Sequence, residues 1–371
     1  MSPISMLFVA GFIGSAQAAD FSAELTEIRK VGPEGQGNEA ASVAWKKVAA
    51  GEPQDLAGIV KGLDGANPLA ENWLRAAADV IADRALAIKQ PLPLSELEMI
   101  LKNTSHSPGA RLLAWDLMRR SNPKRADSLT MDFLNDPASA LRRPGVARLI
   151  EEGKGLAAAK QNDAVAATLE KALGAARDED QVRALAAQLK DLGRKPDLPR
   201  HFGFIMDWKM IGPFDNTARK GFEEVFPPER EINLAASYEG KAGQSVKWVP
   251  FSSKDEFGKI DFNKPFGMLK EVAGYAMADF VCAEARAAEI RLGCKDAWKV
   301  WLNGKFLFGR DEYHRGAMLD QYRLPCRLKN GRNTILVKCC QNEQMETWTV
   351  EWEFQLRVCD ATGTAILPAG K

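Results

Sequence analysis

Residues 1–200 contain neither cysteine nor tyrosine. All six cysteines and all four tyrosines lie beyond Pro199, together with six of the nine tryptophans. The first half of the chain therefore has no disulfide framework and no thiol chemistry. Histidine is scarce throughout: His106, His201 and His314 fall far apart, and there is no C-x-x-C or H-x-x-x-H spacing for a transition metal. No G-x-S-x-G elbow, phosphate loop or dinucleotide fingerprint is present. A charge surplus is missing too. Net charge is +1, with 26 basic and 26 acidic side chains in residues 20–200 and 24 and 23 in residues 201–371. Binding to nucleic acid rests on neutralising phosphates and usually leaves a basic domain, so no nucleic-acid partner is expected.

No apolar run reaches the roughly 20 residues that span a bilayer, and no membrane span is expected. The first nineteen residues carry no charge, and Met6 to Gly14 forms an apolar stretch before a small-x-small site at Ala16-Gln17-Ala18. This resembles a signal peptide over residues 1–18, although a basic residue ahead of the stretch is missing. Export to a periplasmic or extracellular location follows as an expectation. Six cysteines in an oxidising compartment could pair in fifteen ways, and buried free thiols in a β core are the alternative. Cys339 and Cys340 are adjacent in an expected strand, so they should point to opposite faces.

The composition shift at Lys195-Pro196-Asp197-Leu198-Pro199 divides the chain into an expected helical domain, residues 20–200, and a β domain, residues 201–371. In the first, Asn67-Pro68, Ser107-Pro108 and Asp136-Pro137 read as helix N-caps. A side-chain oxygen accepts from orphan amides, and proline at the next position sacrifices no hydrogen bond. Each follows a short apolar helix and precedes a longer one. Aligning Leu63, Leu101, Leu134 and Leu173 gives spacings of 38, 33 and 39 residues, the period of a helix–turn–helix solenoid. Ser95-Glu96-Leu97-Glu98 reads as a capping box, and Pro144 should kink or restart its helix. The segment Leu134 to Ile150 resembles a HEAT repeat. The resemblance implies an α-solenoid of HEAT/armadillo-like type and a protein partner on its surface.

In the second domain, Trp348 to Val358 alternates apolar and polar residues and predicts one long strand with Glu351, Glu353 and Arg357 on a wet face. Asn303-Gly304 and Asn330-Gly331 predict tight hairpins, and Pro325 places its strand at an edge or bulge. Further strands are expected over Val272–Val281 and Glu289–Leu292. Many short strands and tight turns predict an antiparallel β-sandwich of jelly-roll type. The runs Trp208–Asn216, Phe226-Pro227-Pro228-Glu229, Val300–Lys305, and Lys329–Asn333 with Ile335–Lys338 resemble exported bacterial galactose-binding-like modules over about residues 203–368. That resemblance implies a sandwich used for carbohydrate binding or for a structural role.

Sugar recognition needs an aromatic platform beside planar polar groups. Trp301 is out of phase with Trp298, Val300 and Leu302, which makes it the candidate platform. Tyr313, His314 and Arg315 lie in one polar loop, and Asn342 and Gln344 in another; these six residues are the candidate ligand-binding set. Asp215, Asp311 and Asp320 are loop carboxylates that could hold a structural calcium; no other cofactor is expected. Glu351 and Glu353 share one face rather than oppose each other across a cleft, so they do not form a hydrolytic pair. The expected function is non-catalytic binding of a glycan or envelope component by the sandwich, with a protein partner on the helices. The alternatives are a structural or assembly protein of the envelope and, last, a hydrolase.

Overall fold

The computed structural model describes residues 18–370. All but the last residue of the expected signal peptide lies outside the described residues. The chain divides at Gly145/Val146 into two compact units, and a helical region precedes antiparallel sheets.

The first unit contains α1 (Ser22–Ile28), α2 (Asn38–Ala49), α3 (Leu56–Lys61), α4 (Pro68–Ala87), α5 (Leu94–Lys102), α6 (Pro108–Ser121) and α7 (Pro123–Leu129). Its core is unusually rich in alanine. Ala70, Ala77, Ala78, Ala82 and Ala85 line the buried face of α4 beside Leu74 and Ile81. Alanine gives up no side-chain entropy on folding and favours the helix. Two expected caps are present. Asn67 accepts from the Leu69 and Ala70 amides, and Ser107 accepts from the Ala110 amide. Asp136 is not the expected N-cap, because the next helix begins at Ser139. Besides taking the Ala138 amide, it is buried and pairs with Arg111 through two contacts of 2.8 and 2.5 Å.

The capping box at Ser95 does not form. Helix α5 starts at Leu94, two residues earlier than that cap requires, without a side-chain cap, and Glu98 reaches Arg125 and Lys102 instead. A cationic partner outcompetes the backbone amide for that carboxylate. Pro144 does not restart its helix: α8 (Ser139–Ala158) is continuous across it. Gly145 follows because a Cβ there would sit 2.7 Å from the Thr130 carbonyl.

The second unit carries α9 (Asn162–Ala175), α10 (Glu179–Asp191) and α11 (Leu198–Phe202) ahead of the strands. These helices are fastened to β-domain loops. The Arg183 guanidinium lies 3.5 Å over the Phe257 ring, and Lys190 pairs with Glu256 at 2.7 Å.

The strands are β1 (Asp207–Asp215), β2 (Ser237–Glu239), β3 (Ser245–Lys247), β4 (Val249–Ser252), β5 (Lys259–Asp261), β6 (Val272–Cys282), β7 (Arg286–Cys294), β8 (Ala297–Leu302), β9 (Lys305–Arg310), β10 (Tyr322–Leu328), β11 (Gly331–Gln341) and β12 (Glu353–Cys359). A six-stranded sheet runs β4-β1-β6-β11-β8-β9 and a four-stranded one β10-β7-β12-β5, with β2-β3 as a separate ribbon. All these pairings are antiparallel. The inner faces share one core, in which Trp298, Val300, Ile335 and Val337 meet Ile290, Leu292, Phe354 and Leu356. The arrangement is β-sandwich-like.

Asn303-Gly304 makes the expected hairpin between β8 and β9, with both residues at positive φ. Pro325 sits on β10, an edge strand. Asn330-Gly331, however, is not a hairpin. Strand β10 pairs with β7 while β11 pairs with β6 and β8, so this turn hands the chain from one sheet to the other. The corner is held by Asn333, whose side chain bonds the Lys329 amide and the Lys329 and Gly331 carbonyls.

The eleven-residue final strand is also shorter than the alternation predicts. Only Glu353–Cys359 is strand, and Thr347–Thr349 forms a 3-10 turn. Gln341 draws the carbonyls of Thr349 and Glu351, and Thr349 Oγ1 bonds the Gln344 and Glu346 carbonyls. Side-chain bonds have replaced the ladder there. Trp348 is consequently 54% exposed rather than in the core. Arg357 is buried, not on a wet face, because Asp320 meets it under the sheet.

Candidate functional site

The outer face of the six-stranded sheet is not open to solvent across its width. Residues between β1 and β4 fold back over it, and Phe222, Phe226, Val246 and Trp248 pack on Ile211, Tyr275, Leu336 and Trp301. Trp301 thus faces away from the inner core, as its phase requires, but it is covered to 8% exposure. The cover comes from this loop excursion, which periodicity within the strands does not reveal.

Beside Trp301 the cover leaves a pocket of about 490 Å³. Trp301, Met277 and Leu336 contribute its apolar part, and Asn303, Thr334 and Arg332 stand among its polar groups. The Asn303 position follows from the β8–β9 turn. Its amide donates to Asn333 Oδ1 at 3.0 Å and its Oδ1 accepts from the Thr334 amide at 3.0 Å. Arg332 is mostly exposed and pairs with Asp279 at 2.8 Å. One wall is Pro228 to Ile232. That wall is anchored by Glu229, which accepts from Lys338 Nζ at 2.8 Å and from the Tyr275 hydroxyl at 2.5 Å. Lys338 is fully buried and also donates to the Phe222 and Glu224 carbonyls. An ammonium with three oxygen partners makes this wall a fixed one.

The other candidate residues gather in a second cluster. His314 Nε2 lies 3.0 Å from Asn342 Oδ1, Asn342 Nδ2 donates to Gln344 Oε1 at 3.2 Å, and Gln344 N donates back to Asn342 Oδ1 at 3.1 Å. Asn342 is fully buried, and its amide joins two loops. Tyr313 accepts from Asn216 Nδ2 at 3.1 Å, and Arg219 lies over its ring. Burial raises the Tyr313 hydroxyl far above its ordinary range, so it stays protonated. Arg315 turns outward near Glu312 at 3.8 Å.

Sequence reasoning missed two members of this cluster. Trp348 stands edge-on to His314, 5.4 Å between ring centres. Asp296 lies in the β7–β8 turn with Oδ1 3.3 Å from His314 Nδ1. It is fully buried, with the His314 ring and backbone as its near polar neighbours. Burial pushes its carboxyl up to about 7, with Lys270 offsetting only part of the effect. An Asp in a turn between two apolar strands carries no linear sign of this burial.

The calcium candidates are not brought together. Asp320 serves Arg291 and Arg357, and Asp215 serves Thr217 and Lys241. Among the described residues no group of three or more His, Cys, Asp or Glu could hold a metal ion. Glu351 and Glu353 pair with Lys295 and Lys259 at 2.5 and 2.7 Å. A further groove of about 810 Å³ includes Phe204, Met206, Phe251 and Pro368 and none of the six candidate residues.

No protein-family model matches this chain, and no curated protein matches it. Among solved structures, the GH31 alpha-xylosidase of Xanthomonas citri is similar over 30% of this chain, at 9% identity and a TM-score of 0.20. The match spans 15% of that enzyme's length, and at that TM-score it carries no argument about fold or function.

Proposed function

We propose that the protein is a non-catalytic glycan-binding protein of the cell envelope, with a galactose-binding-like sandwich that takes its ligand in the pocket beside Trp301. One observation carries this reading: an indole, Asn303, Thr334 and Arg332 line the same pocket of about 490 Å³. A sugar offers an apolar C–H face and a rim of hydroxyls, which an aromatic side chain and planar polar groups can meet together. The loops carrying Tyr313, His314, Asn342 and Gln344 form a separate cluster that braces the domain.

The test is isothermal titration of the full chain against a panel of neutral and acidic glycans. Binding by the wild type, weakened at least tenfold in Arg332→Ala and in Trp301→Ala, supports the reading. Arg332 is exposed, so its removal separates loss of ligand from loss of fold. No binding to any glycan, or binding indifferent to both changes, counts against it.

The helices are proposed to be HEAT-like and to take a protein partner. The capped pairs around Asn67 and Ser107 and the outward-facing Val43, Ile88 and Met99 support this part. Export is proposed from residues 1–18, and fractionation of cells producing the whole chain checks it. Recovery only in the cytoplasm, with Met1 retained, would count against export.

A further inference from the structure

Cys294 ends β7 in the four-stranded sheet, and Cys339 lies in β11 of the six-stranded sheet. Their side chains meet in the inner core with the sulfurs 3.7 Å apart. Both are buried, and Trp352 closes the site by donating its indole N–H to the Cys339 carbonyl at 3.0 Å. Among the described residues no other pair of cysteine sulfurs is in contact.

The fold separates the remaining four. Cys340 is on the opposite face of β11, in the outer apolar cluster. Cys282 pairs across the sheet with Gly331, eight positions along β11 from Cys339, or roughly 26 Å of strand. Cys326 lies opposite Ala288 and Cys359 opposite Glu289, on the two flanks of β7. Those successive positions point to opposite faces, so Cys326 and Cys359 cannot bond to each other.

We propose that Cys294 and Cys339 form a disulfide between the two sheets when the chain folds in the presence of a small-molecule or protein disulfide. A thiolate of one cysteine attacks the oxidant's S–S bond and gives a mixed disulfide with release of one thiol. The second cysteine then displaces the other thiol. Two thiols of this chain and one oxidant disulfide become one disulfide of this chain and two oxidant thiols, so protons and electrons balance. The sulfurs must approach by roughly 1.7 Å to reach bonding distance. Burial holds the Cys339 thiol far above its ordinary range. The attacking thiolate is therefore available while the sheets are closing, not after. The bond would close a span of 45 residues and tie β11, the strand paired with the Trp301 strand β8, to the opposite sheet.

The test uses the full wild-type chain, reduced and unfolded in guanidinium and then refolded in a mixture of oxidised and reduced glutathione. Free thiols are alkylated, and the protein is digested and mapped by mass spectrometry. The expected result is loss of two of the six alkylatable thiols and one cross-linked peptide pair, containing Cys294 and Cys339. The oxidised protein should also unfold at a higher urea concentration than the reduced protein. That shift should vanish in Cys294→Ala and in Cys339→Ala. Where the variants fail to fold, the wild-type peptide map decides alone. Six alkylated thiols in the refolded chain, or a cross-link between any other two cysteines, would overturn the proposal.

Discussion

Arg357 grips Asp320 at two points, Nε to Oδ1 and Nη2 to Oδ2, each at 2.6 Å, and Arg291 takes the same Oδ2 at 2.6 Å. Both guanidinium groups are buried. Asp320 sits at positive φ, which Asn also tolerates. The change Asp320→Asn therefore keeps the backbone, strips buried Arg357 of its anion and leaves buried Arg291 with Glu289 alone. The expected loss is about 3 kcal/mol or more, read from urea unfolding at pH 7; a loss below about 0.5 kcal/mol would refute the role.

The same carboxylate makes the sandwich acid-sensitive. Burial alone would raise its pKa, but hydrogen bonds and charge from Arg357 and then Arg291 outweigh burial and hold it below the usual range. A depressed folded-state pKa contributes stability above the unfolded value near 3.9 that is lost as pH falls through the folded one. Wild type should lose stability steeply below about pH 4. Asp320→Asn should lose less over the same interval.

Asp296 should act in the opposite sense. Burial raises its carboxyl to about 7, above the unfolded value near 3.9. The folded state therefore holds a proton that the unfolded state has lost, and stability falls as pH rises between those values. The full interval corresponds to roughly 4 kcal/mol. Asp296→Asn should match wild type near pH 4 and exceed it at pH 8. Parallel stability curves from pH 4 to pH 8 would show that Asp296 ionises normally.

Glu229→Gln tests the wall of the Trp301 pocket. It removes the anion from Lys338 and leaves it neutral oxygen partners, the Phe222 and Glu224 carbonyls among them. A loss of about 3 kcal/mol is expected from the stranded buried charge. Quenching of Trp301 and Trp248 fluorescence by acrylamide should rise with it, because both indoles pack under this cover.

Asn67→Ala should cost roughly 1 kcal/mol through the loss of the cap on α4. The Asn67 side chain also donates to the Val31 carbonyl at 2.8 Å. The change Asn67→Asp keeps the capping oxygen but loses that donor, so in urea unfolding its stability should fall between wild type and Asn67→Ala.

Local patterns were the legible part of the fold. Strands β6, β7, β8 and β9 and the caps at Asn67 and Ser107 follow from side-chain period, Asn-Gly chemistry and proline position. Those signals act within a few residues. Asn330-Gly331 shows their limit, since a turn's residues do not say which strand its exit will pair with. Trp348 shows it again: period two predicted a buried strand residue, while Gln341 and Thr349 drew the backbone into a turn. The candidate site was half legible. His314, Asn342 and Gln344 do gather, but His314 also meets Asp296, whose burial no linear pattern announces.

By itself the sequence determined that helices precede antiparallel strands, that Cys339 and Cys340 face opposite ways, and that Trp301 points away from the inner core. Each depends on the fixed geometry of a helix or strand over a few residues. Only the tertiary structure decided that a loop excursion covers Trp301 and leaves a pocket beside it. It alone placed Arg357 on Asp320 and, of fifteen ways to pair six cysteines, brought Cys294 to Cys339. Those contacts join residues 37, 45 or more positions apart. They exist because the two sheets close on each other and must bury, pair or cover every side chain between and above them.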